Sequence, residues 1–200
     1  MFMAIDPDLL RQKGAIRKKA EKDRVIFYEG DEAHFYYQIV SGRVRMVNTS
    51  DTGKEFIQGL FGPGDSFGEP ALLAVQPYPA AAIADEDTTL LRLPGAPFVQ
   101  LLKENPEIHF SLTCRLAGRL RQKSILSKEM CCSEPAALIG GVLRQHAAGC
   151  PPSVNGRIKV ILTRQQIANL TGLRVETVIR TIRSMYRKGD VVLEKGKVYV

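Results

Sequence analysis

From Glu107 to about Met130 the chain carries no proline and one glycine, Gly118, whereas residues 25 to 100 are broken repeatedly by Gly, Pro and Asp. The contrast predicts one long helix preceded by many short strands. Val25-Ile26-Phe27-Tyr28 ends at Gly30-Asp31, and Phe35 to Val40 alternates into Ser41-Gly42. Val44 to Val47 runs to Asp51-Thr52-Gly53, and Phe56 to Phe61 stops at Gly62-Pro63-Gly64-Asp65. Ile83, Leu90, Leu91 and Leu93 supply closing strands, so this region reads as a small sandwich or barrel. A short amphipathic start, Leu9, Leu10 and Ile16, precedes it.

After Pro94 the pattern turns helical. Pro97 to Lys103 reads as a short helix, and Asn105-Pro106 opens the long one with proline at its first position. Its apolar positions Ile108, Leu112, Leu116, Leu120 and Leu126 alternate with Arg115, Arg119, Arg121 and Lys123. So narrow a stripe is expected to pack on a two-fold mate, the alternative being its own β domain. Ser133-Glu134-Pro135 is a cap-then-proline signal, which makes Cys131 to Glu134 a hinge and starts a helix over Ala136 to His146. A Gly/Pro/Ser-rich loop over Ala148 to Asn155 and a strand over Ile158 to Leu162 follow.

Thr163-Arg164-Gln165-Gln166 has the capping-box pattern, with Ile167, Ala168 and Leu170 as the buried face of the helix it opens. Thr171-Gly172-Leu173 is a tight turn, and Val175 to Arg187 reads as a second helix with Val178, Ile182 and Met185 inward. Two short helices joined by a glycine turn are a helix-turn-helix, whose second helix fits the major groove. Val191-Val192-Leu193 and Lys197-Val198-Tyr199-Val200, joined through Lys195-Gly196, complete a hairpin wing.

Charge follows this division. Residues 1 to 130 carry 17 basic and 17 acidic side chains, and residues 131 to 200 carry 11 and 4, so the whole net charge of +7 lies in the last third. Such asymmetry points to a polyanionic partner for the C-terminal part. Arg180, Arg183 and Arg187 recur on one face of the second helix.

Several classes are set aside. No stretch approaches a membrane span, and Asp6 and Asp8 stand where a signal peptide would be basic, so a cytoplasmic location is expected. Cys114, Cys131, Cys132 and Cys150 lack zinc or disulfide-framework spacing and read as reduced thiols, with the adjacent Cys131-Cys132 a candidate redox pair. Gly62, Gly64 and Gly68 do not form a dinucleotide fingerprint, because Phe67 takes the third place, and no phosphate-loop, nucleophile-elbow or zinc-protease motif occurs. No enzyme activity, metal or cofactor is expected.

Three segments in order carry a resemblance: Gly30-Asp31 with Phe35-Tyr36-Tyr37-Gln38-Ile39-Val40-Ser41-Gly42-Arg43-Val44, then Phe61 to Glu69, then Leu162 to Arg180. Over essentially its whole length the chain resembles the CRP/FNR family of bacterial transcription regulators. The resemblance implies an α+β fold over three parts. A jelly-roll-like double-stranded β-helix of the cyclic-nucleotide-binding type spans 1–104, a long dimerisation helix and hinge 105–132, and a winged helix-turn-helix 133–200. It implies a homodimer on palindromic double-stranded DNA, with RNA polymerase as an expected partner and a small-molecule effector of unknown identity. The alternative is a ligand-binding module whose basic C-terminal part contacts RNA or another anionic partner.

The family's effector pocket supplies Gly68 and Glu69 here, Glu69 as acceptor for a ribose hydroxyl. The family's phosphate-binding Arg-Ser pair falls on Pro79 and Ala80, and no Lys or Arg occurs from Pro70 through Leu91. The nucleobase-binding Thr-Ser pair falls on Lys123 and Ser124. The resemblance therefore implies a degenerate pocket that does not bind cyclic AMP in the usual way. An iron-sulfur sensor would need N-terminal cysteines, and residues 1 to 113 have none; His34 and His109 are nominal haem ligands only.

The family reads bases from the segment Arg174, Val175, Glu176, Thr177, Val178, Ile179 and Arg180, with Arg183 on the same face. Glu176 accepts from cytosine N4, Arg180 forks onto guanine, and Val175 favours a thymine methyl, so the half-site is expected nearer TTGAT than TGTGA. Arg164, Gln165 and Thr177 are expected to position phosphates.

Overall fold

The computed structural model of the chain describes residues 5–132, 134–147, 157–194 and 196–200. It forms two compact units, Met1–Leu120 and Arg121–Val200. The expected hinge residue Ser133, the side chains of Cys131 and Cys132, the loop over 148–155 with Cys150, and Lys195 of the wing lie outside the described residues.

In the first unit, α1 (Pro7–Gln12) is followed by β1 (Ile16–Ala20), β2 (Val25–Phe27), β3 (Phe35–Ser41), β4 (Val44–Thr49), β5 (Glu55–Phe61) and β6 (Ser66–Phe67). Then come α2 (Glu69–Ala74), β7 (Ala81–Ala84), β8 (Thr88–Pro94), α3 (Gly95–Glu104) and α4 (Pro106–Cys132), of which the residues after Leu120 belong to the second unit. Two four-stranded antiparallel sheets result, ordered β1-β8-β3-β6 and β2-β7-β4-β5. Period-2 alternation sends Tyr37, Ile39 and Leu90 from one sheet and Phe27, Val44 and Ala82 from the other into a shared interior. The opposite face of the first sheet presents Tyr36, Leu91 and Leu93 to Leu10 of α1, Phe98 and Leu101 of α3, and Leu112 of α4.

Three elements were not expected: β1, the two-residue β6 and α2. Ile16-Arg17-Lys18-Lys19-Ala20 shows no apolar alternation, yet it is an edge strand, paired with β8 from Ile16 opposite Arg92 to Ala20 opposite Thr88. Pairing to a neighbour overrides its weak intrinsic preference, and the lysines leave an edge that resists further pairing. The six-residue α2 was hidden because it is too short to show a period.

The long helix is present, but its apolar stripe is divided. Ile108, Leu112 and Leu116 pack on the core of their own unit, which corrects the expectation that the whole stripe faces a mate. Leu120 is 68 % exposed. The reason is geometric: steps of four residues precess by about 40° each on a helix of 3.6 residues per turn, so the row that starts inward at Ile108 has left the core by Leu120.

In the second unit, α5 (Pro135–Ala147), β9 (Lys159–Val160), α6 (Arg164–Thr171), α7 (Val175–Lys188), β10 (Val192–Glu194) and β11 (Lys197–Tyr199) enclose a core that includes Ile139, Leu143, Ile167, Val178, Ile182 and Val198. The expected strand over 158–162 shortens to β9, which joins β10 and β11 in a three-stranded sheet ordered β10-β11-β9. Thr163 caps α6 by accepting from the Gln166 amide at 3.0 Å, while the Gln166 side chain accepts from the Thr163 amide at 2.9 Å. Gly172 closes α6 at φ +71°, a left-handed conformation that glycine adopts without a Cβ penalty.

Candidate nucleic-acid interface and effector pocket

α7 is sharply two-faced. Val178, Ile182 and Met185 are buried at spacings of four and three, while Glu176, Arg180, Arg183 and Arg187 are exposed on the face they share with the half-buried Ile179. Among the described residues none of these arginines has a carboxylate partner. Three guanidiniums held on one helix face without internal neutralisation suit an external polyanion. Arg174 stands at the N-cap in an extended conformation and is exposed, with Val175 and Thr177 half-buried beside it.

The start of α6 is more engaged than the sequence suggested. Arg164 donates to the Gly196 carbonyl of the wing at 3.4 Å, and burial holds its pKa below the ordinary arginine value. Gln165 Nε2 donates to Asn169 Oδ1 at 2.8 Å. Arg164 therefore ties α6 to the β10–β11 hairpin and retains further N–H donors for phosphate.

The first unit holds the other site. Gly68 caps α2 at φ +82°, and a Cβ there would stand 3.2 Å from Tyr78 Cε1 and 3.5 Å from Tyr37 Cδ2. The left-handed φ favours glycine here, and a Cβ would also press on the Tyr78 ring. Phe27 and Tyr78 stack with centroids 3.6 Å apart, and Tyr37 and Phe67 with centroids 5.2 Å apart. Aromatic rings thus fill the space beside the Gly68 turn. Burial raises the pKa of the Tyr78 hydroxyl, which donates to the Phe35 carbonyl at 3.3 Å. Ala80 is wholly buried, whereas Pro79 is exposed and its carbonyl accepts from Asn48 Nδ2 at 2.7 Å.

Glu69 is 0 % exposed, and its charge is met from α4. Arg119 Nη1 lies 2.8 Å from Glu69 Oε1, its Nη2 lies 3.5 Å from Asp65, and its guanidinium sits 5.0 Å from the Phe61 ring centroid. Ser66 Oγ donates to the same Oε1 at 2.9 Å and receives Arg115 Nη1 at 3.3 Å. Glu69 Oε2 is buried with no hydrogen-bond partner. An orphan acceptor of this kind costs about 1–3 kcal/mol and marks a place where a donor fits.

Sequence reasoning sought the pocket's positive charge from Pro70 through Leu91, where there is none, and at Lys123, and missed Arg115, Arg119, Ser66 and Tyr78. The helix carried a signal: Arg115 and Arg119 are one helical turn apart and border the inward row Leu112 and Leu116. Lys123 and Ser124 are exposed on α4, in the second unit. Among the described residues no cluster of His, Cys, Asp or Glu is arranged to hold a metal, and no helix is long and apolar enough to cross a membrane.

Comparison with known proteins matches the cyclic nucleotide-binding domain family over residues 17–105 and the Crp-like helix-turn-helix domain family over residues 136–200. The chain is 34 % identical over 188 residues to the Cyclic AMP receptor protein of Thermus thermophilus, covering 92 % of this chain and 83 % of that one. The solved Thermus thermophilus Catabolite Activator Protein is 32 % identical, with 98 % of this chain and 91 % of that one covered, at a TM-score of 0.55. The c-di-GMP-responsive global regulator CLP of Xanthomonas campestris shares the fold at a TM-score of 0.80 and 19 % identity, covering 96 % of this chain and 98 % of that one. The β-roll, the long helix and the winged helix-turn-helix, together with these likenesses, place the chain in the CRP/FNR family of transcription regulators.

Proposed function

We propose that the chain is a sequence-specific DNA-binding regulator that acts as a homodimer, with α7 of each protomer in the major groove. The observation that carries this reading is α7 itself, with Glu176, Arg180, Arg183 and Arg187 outward and without internal carboxylate partners, and Val178, Ile182 and Met185 locked inward. Arg180 and Glu176 suit a G·C step, and Val175 a thymine methyl. Arg174, Thr177 and Ile179 flank these readers, and Arg164, Gln165 and Arg183 suit phosphates.

Substitution separates the roles. Arg180→Ala is expected to cost about 1–3 kcal/mol on a cognate duplex and to relax discrimination at one base pair. Arg164→Ala is expected to weaken all sequences alike and to lower the slope of log affinity against log salt by about 1. Fluorescence anisotropy on cognate and base-substituted duplexes at several salt concentrations measures both. Equal losses on every duplex for Arg180→Ala, or tighter binding to single-stranded RNA, would overturn the assignment.

A second protomer is supported by α4. Phe110, Thr113, Ala117, Leu120, Ser124 and Ser127 are exposed at alternating spacings of three and four, the repeat of a two-helix seam. Phe110 is 69 % exposed. Small residues between the two large ones allow close helix approach.

The pocket beside Glu69 does not take cyclic AMP through an arginine–serine phosphate clamp. Pro79 and Ala80 offer no charge, the Arg119 guanidinium is already engaged with Glu69 and Asp65, Arg115 donates to Ser66, and stacked rings occupy the space beside Gly68. A buried phosphate needs a guanidinium and donors in place of water. The names of the relatives span cyclic AMP and c-di-GMP, so likeness alone fixes no effector. Calorimetry is expected to show no saturable binding of cyclic AMP at micromolar concentration. Micromolar binding that survives Lys123→Ala would contradict this reading.

A further inference from the structure

A cavity of about 420 Å³ opens at the end of the sandwich interior, lined by Phe27, Asp31, Phe35, Tyr37, Tyr78 and Arg92 among others. Its size falls within the range of small-molecule sites. Among the described residues no lining residue belongs to α4, and neither Glu69 nor Arg119 borders the cavity. Phe27, Tyr37 and Tyr78 border both this cavity and the Gly68 turn.

Arg92 enters from β8, in register with Tyr37 of β3. Its guanidinium carbon lies 4.2 Å from the Phe35 ring centroid, and its Nε is shut from solvent without a hydrogen-bond partner. A guanidinium does not lose its charge on burial, so an unmet N–H there calls for an acceptor. Asp31 also lines the cavity and contributes a carboxylate, of which Oδ2 accepts from the Tyr28 amide at 2.8 Å. Burial raises the Tyr37 pKa, Arg92 opposes the shift, and Asp31 adds to it, so both charges reach the Tyr37 hydroxyl. The frame is fixed by backbone bonds: the Gly30 amide donates to the Tyr78 carbonyl at 2.9 Å and the Tyr78 amide to the Asp31 carbonyl at 2.9 Å. At the rim Glu32 pairs with His34 at 3.3 Å.

The walls therefore combine one cation, carboxylates and several ring faces. Asp31 and Glu32 disfavour a multiply charged anion such as a phosphate, while the unmet Arg92 Nε disfavours a simple cation. We propose that this cavity binds an aromatic zwitterion of the α-amino-acid type, its carboxylate on Arg92, its ring against Phe27, Phe35 and Tyr78, and its ammonium toward Asp31. This site is separate from the pocket at Glu69 and does not depend on the reading of DNA binding.

The test uses the full-length chain with L-phenylalanine and L-tryptophan as probes and benzoate and phenethylamine as half-charged controls. Calorimetry is expected to show saturable binding of at least one amino acid, with both controls weaker by roughly tenfold or more. Side-chain NMR perturbations are expected at Phe35, Tyr37, Tyr78 and Arg92. Arg92→Gln and Asp31→Asn are each expected to weaken binding by roughly tenfold, with circular dichroism confirming that the variants fold. Absence of saturable binding by both amino acids, perturbations centred on 65–69 and Arg119, or undiminished binding in a folded variant would overturn the proposal.

Discussion

Arg119→Met is expected to destabilise the first unit by about 3–5 kcal/mol, because it leaves Glu69 as a buried carboxylate without its ion-pair partner. Ser66 still donates to Oε1, but one neutral hydroxyl does not replace a guanidinium at 2.8 Å, and Oε2 is already unmet. The loss corresponds to a fall in melting temperature of more than about 10 °C. The double variant Glu69→Leu with Arg119→Met is expected to recover much of the loss, since well-packed apolar groups of similar size often equal a buried ion pair. The chain has no tryptophan, so near-ultraviolet dichroism of the buried Tyr36, Tyr37 and Tyr78 follows this unit. An Arg119→Met protein within about 0.5 kcal/mol of the parent would show that the pair is not what secures Glu69. The same pair fixes Arg119, and with it the middle of α4, against the turn that carries Gly68.

Leu120→Glu is the second large effect, and it acts on assembly. Leu120 is 68 % exposed in the protomer, so a glutamate there is tolerated by the fold within about 0.5 kcal/mol. In a two-helix seam the same change places like charges against each other across the two-fold axis and removes two apolar contacts. Sedimentation is expected to show a monomer. Affinity for a palindromic duplex is then expected to fall by about 10²–10⁴, because the second half-site is no longer bound at high effective concentration. Phe110→Glu should act in the same direction. A Leu120→Glu protein that stays dimeric and binds DNA like the parent would exclude this face of α4 as the seam.

Legibility followed how local the determining physics is. The helix-turn-helix was readable because its capping box at Thr163, its turn at Gly172 and the inward row Val178, Ile182, Met185 all lie within one short segment. The β-roll was readable from turn residues at its strand ends, such as Gly30-Asp31 and Gly62-Pro63-Gly64-Asp65. β1 was not, because its edge position depends on pairing with β8, far along the chain. The division of the α4 stripe was not, because the burial of Leu112 and exposure of Leu120 depend on where the helix leaves the sheet. The charge in the pocket escaped for a related reason: Arg119 meets Glu69 across 50 residues of sequence, a separation that no local pattern records.

Binding-site selection from random duplex DNA decides whether two copies of α7 read a symmetric site through Glu176 and Arg180. The expected result is enrichment of two-fold symmetric sites whose half-sites share a GA step and lie about one helical turn apart, near 34–36 Å. Enrichment of asymmetric sites, of half-sites without the GA step, or of no sequence at all would contradict it.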